Sequence, residues 1–263
     1  MKFVDAHIHL SDPEYSNKIS QLIEDAKRSN VVALISNSMD LETSYKSLQL
    51  AKENPNLIYA AIGIHPWNSQ NLKPNEIEET ENLIAREASA KRIDAIGEIG
   101  LDPQYAKNEE QQELQHRVFQ EMLSAAEKTS LPIIIHSRGS SEEIMNLLPS
   151  FHINKVLFHW FVRPIELLHE IVDRGYYISE GPASVFSKGI KEVVKRVPLS
   201  NLLTETDGPV QFFGPFKNKM TTPSFIPLIV NAIAQVKEMH ETEVADQILR
   251  NFTNFFEITV TSK

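Results

Sequence analysis

Short apolar runs alternate with longer amphipathic stretches along the whole chain. The apolar runs are four to eight residues long and rich in β-branched residues, which predicts buried strands. The eight predicted strands span residues 3–9, 31–35, 57–64, 93–99, 132–136, 155–159, 176–179 and 202–206.

The stretches between the strands carry apolar residues at helical spacing. In the last of them an apolar residue stands at every fourth position from Val244 to Phe256, which is typical of an amphipathic helix. Ser140 and Glu143 have the spacing of a capping box. The predicted helices cover residues 19–26, 42–52, 74–90, 114–126, 164–172, 188–196, 223–239 and 243–256, with one more beginning after Ser140. Residues 208–222 lack a predicted element, and we expect an active-site loop there.

Strict alternation of strands and helices indicates parallel strands, and eight such units indicate a closed (β/α)8 TIM barrel of the α/β class. Such a barrel needs about 250 residues, and the chain has 263. No repeat or flexible linker interrupts the pattern. We therefore expect one domain, residues 1–263, with its active site at the C-terminal ends of the strands.

Composition narrows the chemistry. The hydrophobic share of 41% and the charged share of 23% are ordinary for a globular protein, and there is no cysteine. Any bound metal must therefore be held by histidine and carboxylate. No apolar run is long enough to cross a membrane, and the chain begins with a strand rather than a signal peptide. We expect a cytoplasmic protein without membrane contact.

The formal net charge of −9 argues against a broad electrostatic footprint on duplex DNA. It does not exclude a nucleic-acid substrate, because bound cations can attract phosphate locally. A narrow pocket centred on cations suits an exposed single-stranded end better than the middle of a duplex.

Polar side chains with metal-binding chemistry follow six of the eight predicted strands. His7 and His9 lie two apart on one strand, so both project from one face. Each residue alone is a weak signal, since a histidine satisfied by a backbone carbonyl is common. The set consists of His7, His9, His65, Glu98, His136, His159 and Asp207. We expect it to meet at the catalytic end of the barrel.

The other histidines lie on helices or loops, and we expect them to be solvated. They are His116, His152, His169 and His240.

The strand-end set offers four histidines and two acids as metal ligands, which is more than one tetrahedral ion needs. Two ions about 3.5–4 Å apart that share a carboxylate would use all six ligands.

With these residues the chain resembles the TatD family of metal-dependent hydrolases, within the amidohydrolase superfamily. The matching segments are Asp5-Ala-His-Ile-His9, Gly63-Ile-His-Pro66, Ala95-Ile-Gly-Glu-Ile-Gly-Leu-Asp102, Ile135-His-Ser-Arg138, Phe158-His159 and Thr204-Glu-Thr-Asp-Gly-Pro209. They span the chain in the order found in the family, and the Gly-Glu-Ile-Gly-Leu-Asp element is the most specific.

The resemblance implies a role for each member of the set. One ion would be held by His7, His9 and Asp207. The other would be held by His136 and His159. Glu98 would bridge the two ions, and His65 would lie near the phosphate of the substrate.

Chemical roles follow from these positions. Two cations lower the pKa of a shared water and supply a bridging hydroxide near neutral pH. Asp207 would accept the proton of that water, so Asp207 and Glu98 are the catalytic candidates. The fork of Arg138 matches phosphate geometry, although a surface salt bridge is an equal alternative. Asp102 is expected to orient a loop or a ligand histidine.

Three segments depart from the pattern of the family. Where the family usually has a small turn, this chain has residues 160–164, which begin with the bulky Trp160. Where the family usually has a turn with a group that binds substrate, this chain has residues 217–222. Trp67 stands where a second histidine is common. The metal site is intact by sequence, whereas the substrate pocket differs from the family average. The aromatic residues near the strand ends could stack on unpaired bases or pack the loops together.

We therefore expect a divalent-metal-dependent phosphodiesterase or deoxyribonuclease, a 3′-to-5′ exonuclease acting on single-stranded DNA or RNA. One alternative is hydrolysis of an ester, lactone or amide, for example by an aminoacyl-tRNA deacylase. Another is a metal-binding module that has lost catalysis. Histidine and carboxylate ligation admits Zn, Mn, Fe, Co or Mg.

Overall fold

A computed structural model of the chain describes residues 1–260. Eight parallel strands follow one another around a single sheet in chain order, and helices interleave with them. This arrangement confirms the predicted (β/α)8 barrel. The strands are β1 Phe3–Ile8, β2 Val31–Asn37, β3 Ile58–Ile62, β4 Ala95–Gly100, β5 Ile133–His136, β6 Val156–Phe158, β7 Tyr177–Glu180 and β8 Leu202–Thr204.

The helices cover the outside of the strands, which explains why the strands are continuous apolar runs. Every residue of β1 and of β4 is buried. The helices are α1 Ile19–Arg28, α2 Leu41–Glu53, α3 Glu76–Ser89, α4 Glu109–Thr129, α5 Ser141–Leu147, α6 Leu167–Asp173, α7 Ala183–Phe186, α8 Lys188–Arg196, α9 Ile226–Lys237 and α10 Glu241–Phe256. Within residues 1–260, none is long and apolar enough to cross a membrane.

The last strand meets the first without a regular ladder in the described part of the chain. The backbone N–H of Asp207 donates to the carbonyl of His7 at 2.9 Å, and that of His9 donates to the carbonyl of Gly208 at 2.8 Å. The hydroxyl of Thr204 adds a bond of 2.7 Å to the carbonyl of Val4. The barrel is thus closed at its C-terminal end by the residues predicted to bind metal.

Most predicted elements agree with the structure to within a few residues. The short helix α7 was not predicted, because four residues are too few to show a helical period. The capping box at Ser140 is wrong. Its hydroxyl donates to the carbonyl of Leu101 at 2.7 Å and makes no cap on α5. The side chain of Ser140 therefore links the start of α5 to the residue after β4 and does not cap the helix.

Candidate metal centre

The predicted site residues meet around the carboxylate of Glu98, at the end of β4. One of its oxygens, Oε1, faces three histidines. It lies 3.0 Å from His65 Nε2, 2.8 Å from His136 Nδ1 and 2.7 Å from His159 Nε2. These histidines follow β3, β5 and β6, so four strands contribute to this side of the centre.

The other oxygen of Glu98, Oε2, faces the residues of β1. It lies 3.2 Å from Nε2 of both His7 and His9. Asp207 Oδ1 approaches the same two ring nitrogens at 3.4 and 3.6 Å. The two oxygens of Glu98 therefore look toward two different groups of ligand atoms, as a bridging carboxylate must.

His65 lies closer to the centre than its expected role required, and His159 approaches both groups of ligand atoms. His65, Glu98 and His136 form one group of ligand atoms within 4.8 Å of one another, so His65 is as well placed to bind a metal as to contact phosphate. His159 stacks on His7 with ring centroids 4.0 Å apart, and it also groups with His7 and Asp207.

Burial and opposite charges set the protonation of the centre. Burial lowers the pKa of His7 and of His65 to about 4, which favours the neutral imidazole that binds metals. Burial alone would raise the pKa of Glu98, but His65, His159 and His7 outweigh it and hold the pKa well below its usual range. Glu98 therefore stays ionised.

His9 behaves in the opposite way. Burial lowers its pKa, but the carboxylates of Asp207 and Glu98 outweigh that and raise it to about 10. A proton on His9 thus offsets buried negative charge, and a cation would replace that proton on binding.

The donor set fits divalent cations. His7 Nε2 and His9 Nε2 lie 3.1 Å apart, a contact between two nitrogens that only a shared proton or a cation can make favourable. His9 Nδ1 lies 3.2 Å from the carbonyl of Asn37. Because a carbonyl only accepts, Nδ1 carries a hydrogen, so the proton that a cation would displace is the one on Nε2.

Asp102 holds the candidate ligand His136 from behind, as the sequence suggested. Its Oδ2 accepts from His136 Nε2 at 2.9 Å and from Trp67 Nε1 at 2.9 Å. The guanidinium of Arg138 donates to the same oxygen through Nε at 3.0 Å. Arg138 is therefore a salt-bridge partner whose side chain remains 45% exposed, with donors left for phosphate.

Sequence reasoning missed several buried acids around the ligands. Asp5 accepts from the N–H and the hydroxyl of Thr206 at 2.9 and 2.6 Å, which holds the segment before Asp207 against β1. Burial raises the pKa of Asp5 to about 8. The position of Asp5 in the first motif was the available signal, but its partner is two hundred residues away in the chain.

Glu205 and Glu180 are two further buried acids. Glu205 Oε1 lies 3.5 Å from His159 Nδ1, and Ser179 donates to its Oε2. Neither oxygen of Glu180 has a hydrogen-bond partner among the described residues, and burial raises its pKa well above the usual range. Glu180 directly follows the predicted strand 176–179, so its strand-end position was the available signal, but only the fold identifies it as buried.

The aromatic residues at the mouth divide into two classes. Phe161 and Phe212 are buried, and Phe212 packs on Trp160 with ring centroids 5.3 Å apart. Tyr105 and Phe213 are exposed, by 40% and 73%. Loop packing therefore accounts for the first class, whereas the second is open to a ligand.

The four histidines outside the set lie away from the centre. Three are exposed and His116 is partly buried. His116 pairs with Glu143 at 3.1 Å, and His152 pairs with Glu127 at 2.8 Å. The prediction of solvated positions is confirmed for His152, His169 and His240.

Comparison with known proteins gives one family. The sequence profile described as TatD related DNase matches residues 4–257. The uncharacterized metal-dependent hydrolase YabD of Bacillus subtilis is 32% identical over 97% of this chain and 98% of its own. The human deoxyribonuclease TATDN3 is 32% identical over 96% of this chain and 94% of its own.

Among solved structures, the TatD homolog YJJV of Escherichia coli superposes with a TM-score of 0.89. The two chains are 24% identical, and the match covers 98% of each. At this identity the likeness establishes the fold.

Proposed function

The chain belongs to the TatD related DNase family, and from this premise we propose that it is a divalent-metal-dependent 3′-to-5′ exonuclease on single-stranded DNA. The observation that carries the proposal is the carboxylate of Glu98: Oε2 faces His7 and His9, whereas Oε1 faces the histidines that follow other strands. This geometry suits a pair of cations, the arrangement typical of enzymes that displace a phosphate ester. The deoxyribonuclease name of the human relative supports the choice of bond.

The residues would divide between the two cations according to the oxygen of Glu98 that they face. His7, His9 and Asp207 would hold one cation, and His136 and His159 the other, with His65 as a further ligand or a phosphate contact. When bound, the cations lower the pKa of a water and neutralise charge on the phosphoryl oxygens. Zn, Mn, Fe, Co and Mg are the candidates.

The protein groups supply the remaining chemistry. Asp207 would accept a proton from the attacking water, since its carboxylate borders the centre at 3.4 Å from His7. Glu98 keeps its negative charge and holds the imidazoles in place. The N–H groups of Arg138 that Asp102 does not occupy would bind a phosphate oxygen.

Digestion of a 5′-labelled single-stranded oligodeoxynucleotide tests the proposal. We expect a ladder that shortens from the 3′ end with Mg²⁺ or Mn²⁺ and no cleavage in EDTA. Glu98→Gln should lower the rate by at least about 100-fold, because it removes charge that both cations share. Glu238→Gln, at an exposed position after α9, serves as the matched control and should cleave normally.

Other outcomes redirect the assignment. If the DNA stays intact and RNA is cleaved, the assigned substrate changes from DNA to RNA. Intact oligonucleotides of both kinds, from protein shown to contain metal, would refute the nuclease function. Carboxylic esters and amides, including aminoacyl-tRNA, would then be the substrates to test.

A further inference from the structure

A cleft opens beside the candidate metal centre. It has a volume of about 500 Å³, within the range of small-molecule sites. Its walls come from the turn after β3 and the turn after β4, and include Trp67, Asn71, Gln104, Tyr105 and Lys107. None of these residues is a candidate metal ligand, and Trp67 borders both the cleft and the metal centre.

Trp67 connects the cleft to the metal centre. Its ring meets the ring of His65 edge to face, with centroids 4.9 Å apart, and lies 5.8 Å from that of His136. Its Nε1 donates to Asp102, which in turn holds His136. A molecule in the cleft would therefore lie one side chain away from two candidate ligands.

The cleft offers an aromatic platform. The rings of Trp67 and Tyr105 stack with centroids 4.7 Å apart and an angle of 22°. The guanidinium of Arg138 lies 5.5 and 5.6 Å from the two ring centroids. Because Tyr105 is 40% exposed, the stack can extend by one more flat group, as stacked bases do on aromatic side chains.

Three polar side chains that line the cleft have no partner within residues 1–260. The side chain of Gln70 donates to the carbonyl of Gln111 on α4 at 3.0 Å, and the side chain of Gln111 accepts from the N–H of Lys107 at 2.9 Å. By contrast, the side chains of Asn71, Gln104 and Lys107 make no hydrogen bond or ion pair with any residue from 1 to 260. Carboxamides match the donor and acceptor edges of bases, and lysine matches phosphate.

We propose that this cleft is a nucleobase subsite. Resting on the exonuclease function proposed above, it would hold the unpaired base of a nucleotide that adjoins the scissile phosphate. Tyr105 would stack on the base, Asn71 and Gln104 would contact its edge, and Lys107 would contact a neighbouring phosphate. The subsite would favour single strands, because a base in a duplex must be unpaired before its edge and its face can enter the cleft.

Direct binding can be followed through Trp67. The chain has two tryptophans, so Trp160→Phe leaves Trp67 as the single indole. We expect dAMP, which has no diester bond, to quench its fluorescence in the metal-loaded protein. The base-free 2-deoxyribose 5-phosphate should not. Equal responses to the two ligands would refute a base subsite.

Kinetics test the same subsite in catalysis. Two oligonucleotides carry an abasic residue, either at the 3′ end or next to it. With wild type, one of them should show a KM raised roughly 5- to 100-fold over the intact strand, as the loss of one stacked base implies. Tyr105→Ala should raise KM for the intact strand by a similar factor and abolish that discrimination, while Tyr105→Phe should retain it.

Tyr45→Ala, at a half-exposed tyrosine on α2, is the matched control and should leave KM unchanged. If wild type cleaves intact and abasic strands with equal KM, the subsite is refuted while the exonuclease function stands. If wild type cleaves no strand but still distinguishes dAMP from 2-deoxyribose 5-phosphate, the nuclease function fails and the base subsite stands.

Discussion

One carboxylate oxygen, Asp102 Oδ2, accepts hydrogen bonds from three side chains. They are His136, Trp67 and Arg138, at 2.9 to 3.0 Å. Burial alone would raise the pKa of Asp102, but the bonds from His136 and Trp67 outweigh it and lower the pKa to about 2. The single charge of Asp102 therefore orients three groups: the candidate ligand His136, Trp67 in the wall of the cleft, and Arg138, the candidate phosphate contact.

Asp102→Asn should weaken metal binding. The neutral amide is a poorer acceptor for the Nε2–H of His136, and losing such a partner behind a ligand histidine lowers metal affinity about 10- to 100-fold. Competition with a fluorescent chelator measures the affinity, and circular dichroism checks that the fold is retained. Unchanged affinity would show that His136 does not need this partner.

Asp94→Asn provides the control at the other end of the same strand. Asp94 accepts from the N–H of Ala60 at 3.1 Å, and burial raises its pKa from 3.8 to about 6. Since the folded pKa is the higher one, wild-type stability falls as pH rises through this interval. Asp94→Asn should keep its metal affinity and raise the free energy of unfolding at pH 7 by on the order of 2 kcal/mol. The gain should vanish below about pH 4.

At the scale of elements, the close approach of β4 and β5 brings Glu98 to His136. Gly100 ends β4 with φ +151°, and a Cβ there would lie 1.9 Å from the carbonyl oxygen of His136. The next residue, Leu101, donates its N–H to that same carbonyl at 3.2 Å. Only glycine lets the two backbones approach this closely.

Gly100→Ala should destabilise the protein by more than about 3 kcal/mol, because the methyl group must push β5 away. Gly175→Ala is the matched control, since Gly175 has φ +74° but no atom within 4 Å of the added Cβ. It should cost about 1–2 kcal/mol. Urea denaturation measures both. Equal costs would mean that the two strands can separate without penalty.

At the scale of the whole molecule, the seam of the barrel and the metal centre coincide. Asp207 donates its backbone N–H to His7, and both side chains border the same candidate cation. Asp207 also has φ +51°, a left-handed conformation that is uncommon for aspartate. Metal binding would therefore hold the first and last strands together.

Divalent metal should raise the melting temperature. At a hundred times its Kd, a ligand of the folded state alone adds about 2.7 kcal/mol, which for this size corresponds to roughly 5–10 °C. Thermal denaturation with Mn²⁺ or Zn²⁺ against EDTA measures the shift. Glu98→Gln should reduce the shift strongly, whereas Glu238→Gln should retain it. A melting temperature independent of metal would contradict binding at the seam.

The order of elements and most of the residues that meet at the candidate site could be predicted from the sequence. Apolar runs identify the strands, because a strand that is buried on both faces is apolar throughout. Amphipathic stretches identify the helices, because a helix that is buried on one face repeats its apolar residues at helical spacing. His7, His9, Glu98 and Asp207 stand out because charged or imidazole groups at the ends of apolar strands need a partner.

Only the tertiary structure decides which side chains contact each other across the barrel. The place of His65 beside Glu98, the bond from Ser140 to Leu101 and the burial of Glu180 depend on which strand ends approach each other. The cleft between the turns after β3 and β4 likewise unites residues from two segments. A linear pattern records whether a residue favours burial or solvent, but the distance between two side chains depends on barrel closure and on the loops above it.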